Sequence, residues 1–112
     1  MNKTVTLKEN RQFKKIYSHG TSFVNNLLVL YIQPNNLSIN RLGITVNKKI
    51  GKAVVRNRVR RLIRESYRLK EMYIDVGYDI IFVSRMRAKD ANYHDISSAM
   101  HQLLKKAGLI KL

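Results

Sequence analysis

Residues 78–84 read Tyr-Asp-Ile-Ile-Phe-Val-Ser, and residues 80–83 at their centre are apolar on both parities. A β-strand points alternate side chains to opposite faces, so such a run needs one packed layer above it and another below. It belongs in the middle of a sheet, and the rest of the chain has to supply both covers. The chain has 112 residues and no cysteine. That length supports a modest core, built without disulfides or thiolate zinc sites.

The remaining elements follow from spacing. Thr6 and Glu9, three residues on, make a capping-box pattern, and Phe13, Ile16 and Tyr17 then fall at i, i+3 and i+4. This predicts a first helix over residues 8–19, stopped by Gly20. Residues 27–33 alternate as a strand, with Leu28, Leu30 and Ile32 on one face and Val29 and Tyr31 on the other. Pro34, Asn35 and Asn36 are turn formers, so the next strand, residues 41–47, is expected to return antiparallel. A last helix spans residues 91–107, with Ile96, Met100, Leu103 and Leu104 on one face and Gly108 at its end. The order is helix, strands, helix, strand, helix. The fold class is α+β, an α-β sandwich in which a small mixed sheet packs with about three helices. No repeat or linker divides the chain, so residues 1–112 read as a single domain.

The helix between the second strand and the central one carries the chemistry. Residues 48–70 hold ten of the 22 Lys and Arg residues and one acid, Glu65, which is nine of the net +15. Gly51 breaks the chain before it. Residues 53–69 then place Val55, Val59, Leu62, Ser66 and Leu69 on one side at a helical period. Arg56, Asn57, Arg60, Arg61, Arg64 and Arg68 fan over another arc. Like charges four residues apart each cost a few tenths of a kcal/mol, and Arg56, Arg60, Arg64 and Arg68 repeat that spacing. An anionic partner offsets the cost. The planar fork of arginine bonds two phosphate oxygens at once, which points to a polyphosphate.

Other classes lose support. No apolar run approaches the ~20 residues that span a bilayer, and the N-terminus lacks the apolar stretch of a signal peptide. The expectation is a cytoplasmic chain with no membrane partner. His94 and His101, with Asp90 and Asp95 nearby, form at most a loose pair, whereas metal sites need three or four convergent ligands. His19 beside Gly20 suits a helix end. There is no Ser/His/Asp order, phosphate loop or carboxylate cluster, so neither catalytic residues nor a protein-held metal is expected. Phe13, Tyr17 and Tyr31 taken alone read as core. Val29 and Tyr31, opposite Leu28, Leu30 and Ile32, leave open a stacking platform for single-stranded RNA.

The run RLGITVNKKIGKAVVRNRVRRLIRE, residues 41–65, resembles the signature of the bacterial ribonuclease P protein subunit. Its core is Arg56-Asn57-Arg58, preceded by Lys52, Ala53 and Val54. Phe13, Ile16 and Tyr17, then residues 19–22, Asn25, residues 29–31, Arg85 and residues 88–90 extend the similarity over residues 7–104. Leu28, Asn47 and Arg87 depart from the family pattern, where an aromatic, a serine and a proline are common.

The resemblance implies an RNA-binding accessory to a catalytic RNA that removes the 5′ leader from precursor tRNA. It implies Mg2+ held mainly by that RNA, and no obligate protein partner. It also implies a left-handed βαβ crossover through the arginine helix, where general rules favour the right-handed form. Carried over residue by residue, RNA contact falls on Lys52, Arg56, Asn57, Arg58, Arg60, Arg61, Arg64 and Arg68. The leader cleft falls on Phe13, Tyr17, Val29 and Tyr31. The alternative is a general basic module, such as a ribosomal protein or a DNA-binding helix. A stand-alone nuclease has no constellation behind it.

Overall fold

Five strands form one mixed sheet in the computed structural model, which describes residues 3–111. They are β1 (Thr4–Thr6), β2 (Thr21–Val24), β3 (Leu28–Pro34), β4 (Asn40–Thr45) and β5 (Tyr78–Ser84), in the spatial order β1-β4-β5-β3-β2. β5 is antiparallel to β3 and parallel to β4; β1 runs parallel to β4, and β2 antiparallel to β3. The strand that is apolar on both parities is the middle one, and Ile80, Ile81 and Phe82 are wholly buried.

Three helices supply the covers: α1 (Asn10–His19), α2 (Ala53–Lys70) and α3 (Tyr93–Lys106). On one face Leu28, Leu30, Ile32, Leu42, Ile80 and Phe82 pack with Val59, Ile63 and Tyr67 of α2 and with Ile96, Met100, Leu103 and Leu104 of α3. On the other face Ile81 packs with Leu7 and Ile16, and Phe13, Tyr31 and Val83 lean on that smaller cluster. The α-β sandwich is therefore three layers deep, thick on the α2–α3 side and thin under α1. α2 forms the crossover between the parallel neighbours β4 and β5.

Several expectations need correction. β4 does run opposite to β3, but β5 lies between them, because a strand buried on both faces takes two neighbours. Asparagines hold the β3–β4 connection against the start of β5. The Asn35 backbone N–H donates to the Gly77 carbonyl at 2.9 Å. The Asn40 side chain accepts from the Tyr78 N–H at 2.9 Å and donates to the Asp75 carbonyl at 3.0 Å.

Thr6 does not cap α1. It ends β1, and the Leu7 N–H continues that pairing to the Leu42 carbonyl. The helix starts at Asn10, with the Gln12 side chain accepting from the Glu9 N–H. α3 starts at Tyr93 because the Asn92 side chain accepts from the Asp95 N–H, and Asp95 in turn accepts from the Asn92 N–H. The short edge strands β1 and β2 were not expected at all.

The buried seam of α2 is also turned. Val59, Ile63, Ser66 and Tyr67 are enclosed, whereas Leu69, placed on the seam by spacing, is 51% exposed. Tyr67 accounts for the rotation. Its ring fills the core, and its hydroxyl forms a 2.8 Å hydrogen bond with that of Thr4, tying β1 to the helix. Burial pushes the Tyr67 phenol above its ordinary titration range, opposed by its hydrogen bonds to Thr4 and Asn40.

Tyr67→Phe leaves the buried Thr4 hydroxyl without its partner, and we expect a loss of about 1–2 kcal/mol in urea unfolding at neutral pH. Because the phenol titrates higher in the folded state, its share of stability is intact below the unfolded value near pH ~10 and is lost as pH rises past it. The phenylalanine variant should therefore show a shallower alkaline decline.

Candidate nucleic-acid interface

α2 is long because nothing in its 18 residues breaks it, and Gly51 supplies the sharp bend that precedes it, at φ 154°. Its outward arginines differ in what already holds them. Arg61 and Arg64 are exposed and make no side-chain hydrogen bond or ion pair with any described residue. Lys52 precedes the first turn with its side chain exposed. Arg60 donates to the Asn57 side chain at 3.1 Å. Arg68 is bound to Glu65, and that bond holds the Glu65 carboxyl below its ordinary range. Arg56 is half-buried, with its Nε enclosed and without a partner.

Arg58 points elsewhere. Its guanidinium donates to the Ala91 carbonyl at 2.8 Å and the Lys89 carbonyl at 3.3 Å, stapling α2 to the turn that leads into α3. Helical spacing leaves Arg58 off the basic arc, and only the family resemblance sets it among the RNA contacts. The structure gives it a structural hydrogen-bonding role as well.

The predicted cleft residues come together on the α1 face. Tyr17 and Tyr31 meet nearly edge to face, with ring centroids 4.8 Å apart at 76°. Phe13 lies 6.3 Å from Tyr17. The ring of Phe13 sits over Gly43, where an added Cβ would be 2.6 Å from Cε1. Phe13 also borders a separate groove with Leu7, Ile44, Arg60 and Arg64, so it stands between the cleft and the arginine helix.

Register places further residues on the sheet face that carries Val29 and Tyr31. Val29 pairs with Val83 on one side and with Val24 on the other, and Val83 pairs with Thr45. This row is only partly covered, in contrast to Ile81 beneath α1. Sequence reading missed Thr45, Val83 and Val24, which depend on knowing the strand order.

A sequence signal was available for the floor. Residues 20–40, which contain β2 and β3, include no charged side chain in a chain with 22 basic residues. A second missed feature is a groove at the ends of β4 and β5, lined by Asn26, Asn47, Lys49, Ser84, Arg85 and Arg87. The buried Ser84 hydroxyl there has no hydrogen-bond partner.

No three His, Cys, Asp or Glu side chains converge on a metal-sized site among the described residues. Asp79 is engaged by Arg41 through two hydrogen bonds of 2.6 and 2.7 Å. That bond raises the titration point of the Arg41 guanidinium.

A three-layer α-β sandwich with a basic crossover helix on one face of its sheet and a cluster of aromatic rings on the other defines a small, basic α-β binding protein. Comparison with known proteins gives the family. The Ribonuclease P family model matches residues 1–108, and the chain belongs to that family. It is 49% identical over 107 residues to the ribonuclease P protein component of Clostridium kluyveri, covering 94% of this chain and 96% of that one. The fold matches the Staphylococcus aureus RNase P protein with a TM-score of 0.85 and 38% identity, over 95% of this chain and 97% of that one. It matches the Thermotoga maritima RNase P protein with a TM-score of 0.83 and 30% identity, over 90% and 96%.

The unequal engagement of the arginines is testable without RNA. Arg58→Ala should lower stability by about 1 kcal/mol through its lost carbonyl contacts. Arg61→Ala should stay within about 0.5 kcal/mol of the parent. Thermal or urea unfolding of both variants checks this, and equal stabilities would contradict the assignment.

Proposed function

We infer that this chain is the protein component of ribonuclease P, an RNA-based endoribonuclease, and assists removal of the 5′ leader in tRNA maturation. Family membership supports the activity. The observation that carries the mechanism is a basic helix and an aromatic surface on opposite faces of one sheet, meeting where Phe13 shares a groove with Arg60 and Arg64.

In this reading residues 1–112 act as a single RNA-binding domain. Lys52, Arg56, Arg60, Arg61, Arg64 and Arg68 neutralise phosphates of the catalytic RNA, Asn57 hydrogen-bonds to that RNA, and Arg58 shares the charge-neutralising role while bracing the turn into α3. Phe13, Tyr17, Val29 and Tyr31 hold leader nucleotides of precursor tRNA by stacking, which tolerates any base and suits leaders of varied sequence. With no charged side chain in residues 20–40, the floor takes bases, and the phosphates face outward.

Mg2+ at the cleavage site falls to the RNA, where it would activate the attacking water; the scattered acids of this chain do not fit a site for it. No helix among the described residues is long and apolar enough to cross a membrane, and we assign the protein to the cytoplasm.

Salt dependence separates the two surfaces. Arg61→Ala and Arg64→Ala should each flatten the plot of log affinity against log salt by ~0.7–0.9 per lost phosphate contact. Tyr31→Ala should weaken binding of a long-leader precursor by the ~1–3 kcal/mol of one stacked base and leave the slope unchanged. Filter binding of the protein to the catalytic RNA, and of the reconstituted holoenzyme to the precursor, at several salt concentrations measures the two in turn. An unchanged slope in the arginine variants, or a flattened one in the tyrosine variant, would overturn the division.

A further inference from the structure

We propose that Thr45 is a positioning residue of the cleft, fixing the ring of Tyr17 so that Tyr17 and Tyr31 form a rigid right-angled corner for one nucleotide base. The proposal rests on the reading of the cleft as the leader site and adds a residue that neither spacing nor the family pattern had marked.

The need arises from exposure. Tyr17 lies in the last turn of α1 and is 39% exposed, so packing alone does not hold its ring. Its hydroxyl forms a 2.9 Å hydrogen bond with that of Thr45, across the gap between α1 and β4. Thr45 is well placed as the fixed end. It lies on a strand paired with the central β5, opposite Val83, and its β-branched side chain is stiff at χ1.

Held from this side, the Tyr17 ring meets Tyr31 at 76°. Two rings at that angle present a corner, in which a base stacks on one face while its edge abuts the other ring. Without the tether Tyr17 has to be immobilised when the leader binds, and ordering one such side chain costs roughly a factor of two to ten in affinity.

The test uses holoenzyme reconstituted with a bacterial ribonuclease P RNA and two precursor tRNAs, one with a long leader and one with a very short leader. Thr45→Val keeps the shape and removes the hydroxyl. It should lower the long-to-short ratio of kcat/KM by roughly threefold to fivefold, within the cost of one freed side chain. Tyr17→Phe should lower the ratio equally, the double variant no further, and Thr45→Ser should restore most of it.

An additive double variant would overturn the proposal. So would an unchanged ratio in Thr45→Val while Tyr17→Ala still lowers it; the cleft reading then stands without the tether. If Tyr17→Ala and Tyr31→Ala alter both substrates alike, the cleft reading itself fails and takes the proposal with it.

Discussion

The burial of β5 on both faces is the constraint from which the rest of the architecture follows. Ile80 and Phe82 require the thick layer of α2 and α3, while Ile81 requires a second cover that the chain provides only in part. α1 is ten residues long, so it seals Ile81 and leaves the row of Thr45, Val83, Val29 and Val24 half open. The candidate cleft is thus the uncovered remainder of a sheet face. The same demand for a central β5 makes α2 a crossover helix, anchored on the core by Val59, Ile63 and Tyr67. An arginine face is tolerable there because burial on the opposite side, and not helix propensity, holds the helix in place.

Electrostatics completes the division. With seven acids against 22 bases, the ion pairs among the described residues serve local structure: Asp79 with Arg41 in the sheet, Glu65 with Arg68 on α2, and Glu9 with Arg11 at α1. The exposed pairs add little stability. Arg61 and Arg64 have no partner among the described residues, and a net charge of +15 favours binding of a polyanion.

Much of this was legible in the sequence because it is local. Alternation placed β3 and β4, a run apolar on both parities placed β5, and helical spacing found α3 with its buried Ile96, Met100, Leu103 and Leu104. Where non-local pairing decides, the reading failed. β1 is three residues long and exists because Tyr67 and β4 hold it; nothing within Thr4–Thr6 announces a strand. The order β4-β5-β3 inserts a later strand between two earlier ones, which a turn signal cannot reveal. Leu69 and Tyr67 exchanged places on the seam because a ring with a reachable hydroxyl partner outranked a regular spacing. Phe13, Tyr17, Val29 and Tyr31 entered as cleft candidates from the family resemblance, whereas the bond between Tyr17 and Thr45 depends on α1 leaning over β4, which no local pattern encodes. Gly20 ends α1 as expected but for a different reason. Its φ is −76°, and a Cβ there would lie 2.6 Å from the Ile16 carbonyl and 2.7 Å from that of Ile32.

In the function proposed here the RNA cleaves the leader and this chain assists it. The most direct measurement is 5′-leader cleavage of a precursor tRNA at low magnesium with a bacterial ribonuclease P RNA alone, the protein alone, and the two together. The protein alone should give no cleavage, and its addition to the RNA should make cleavage faster. Cleavage by the protein alone, or no gain when it is added to the RNA, would contradict it.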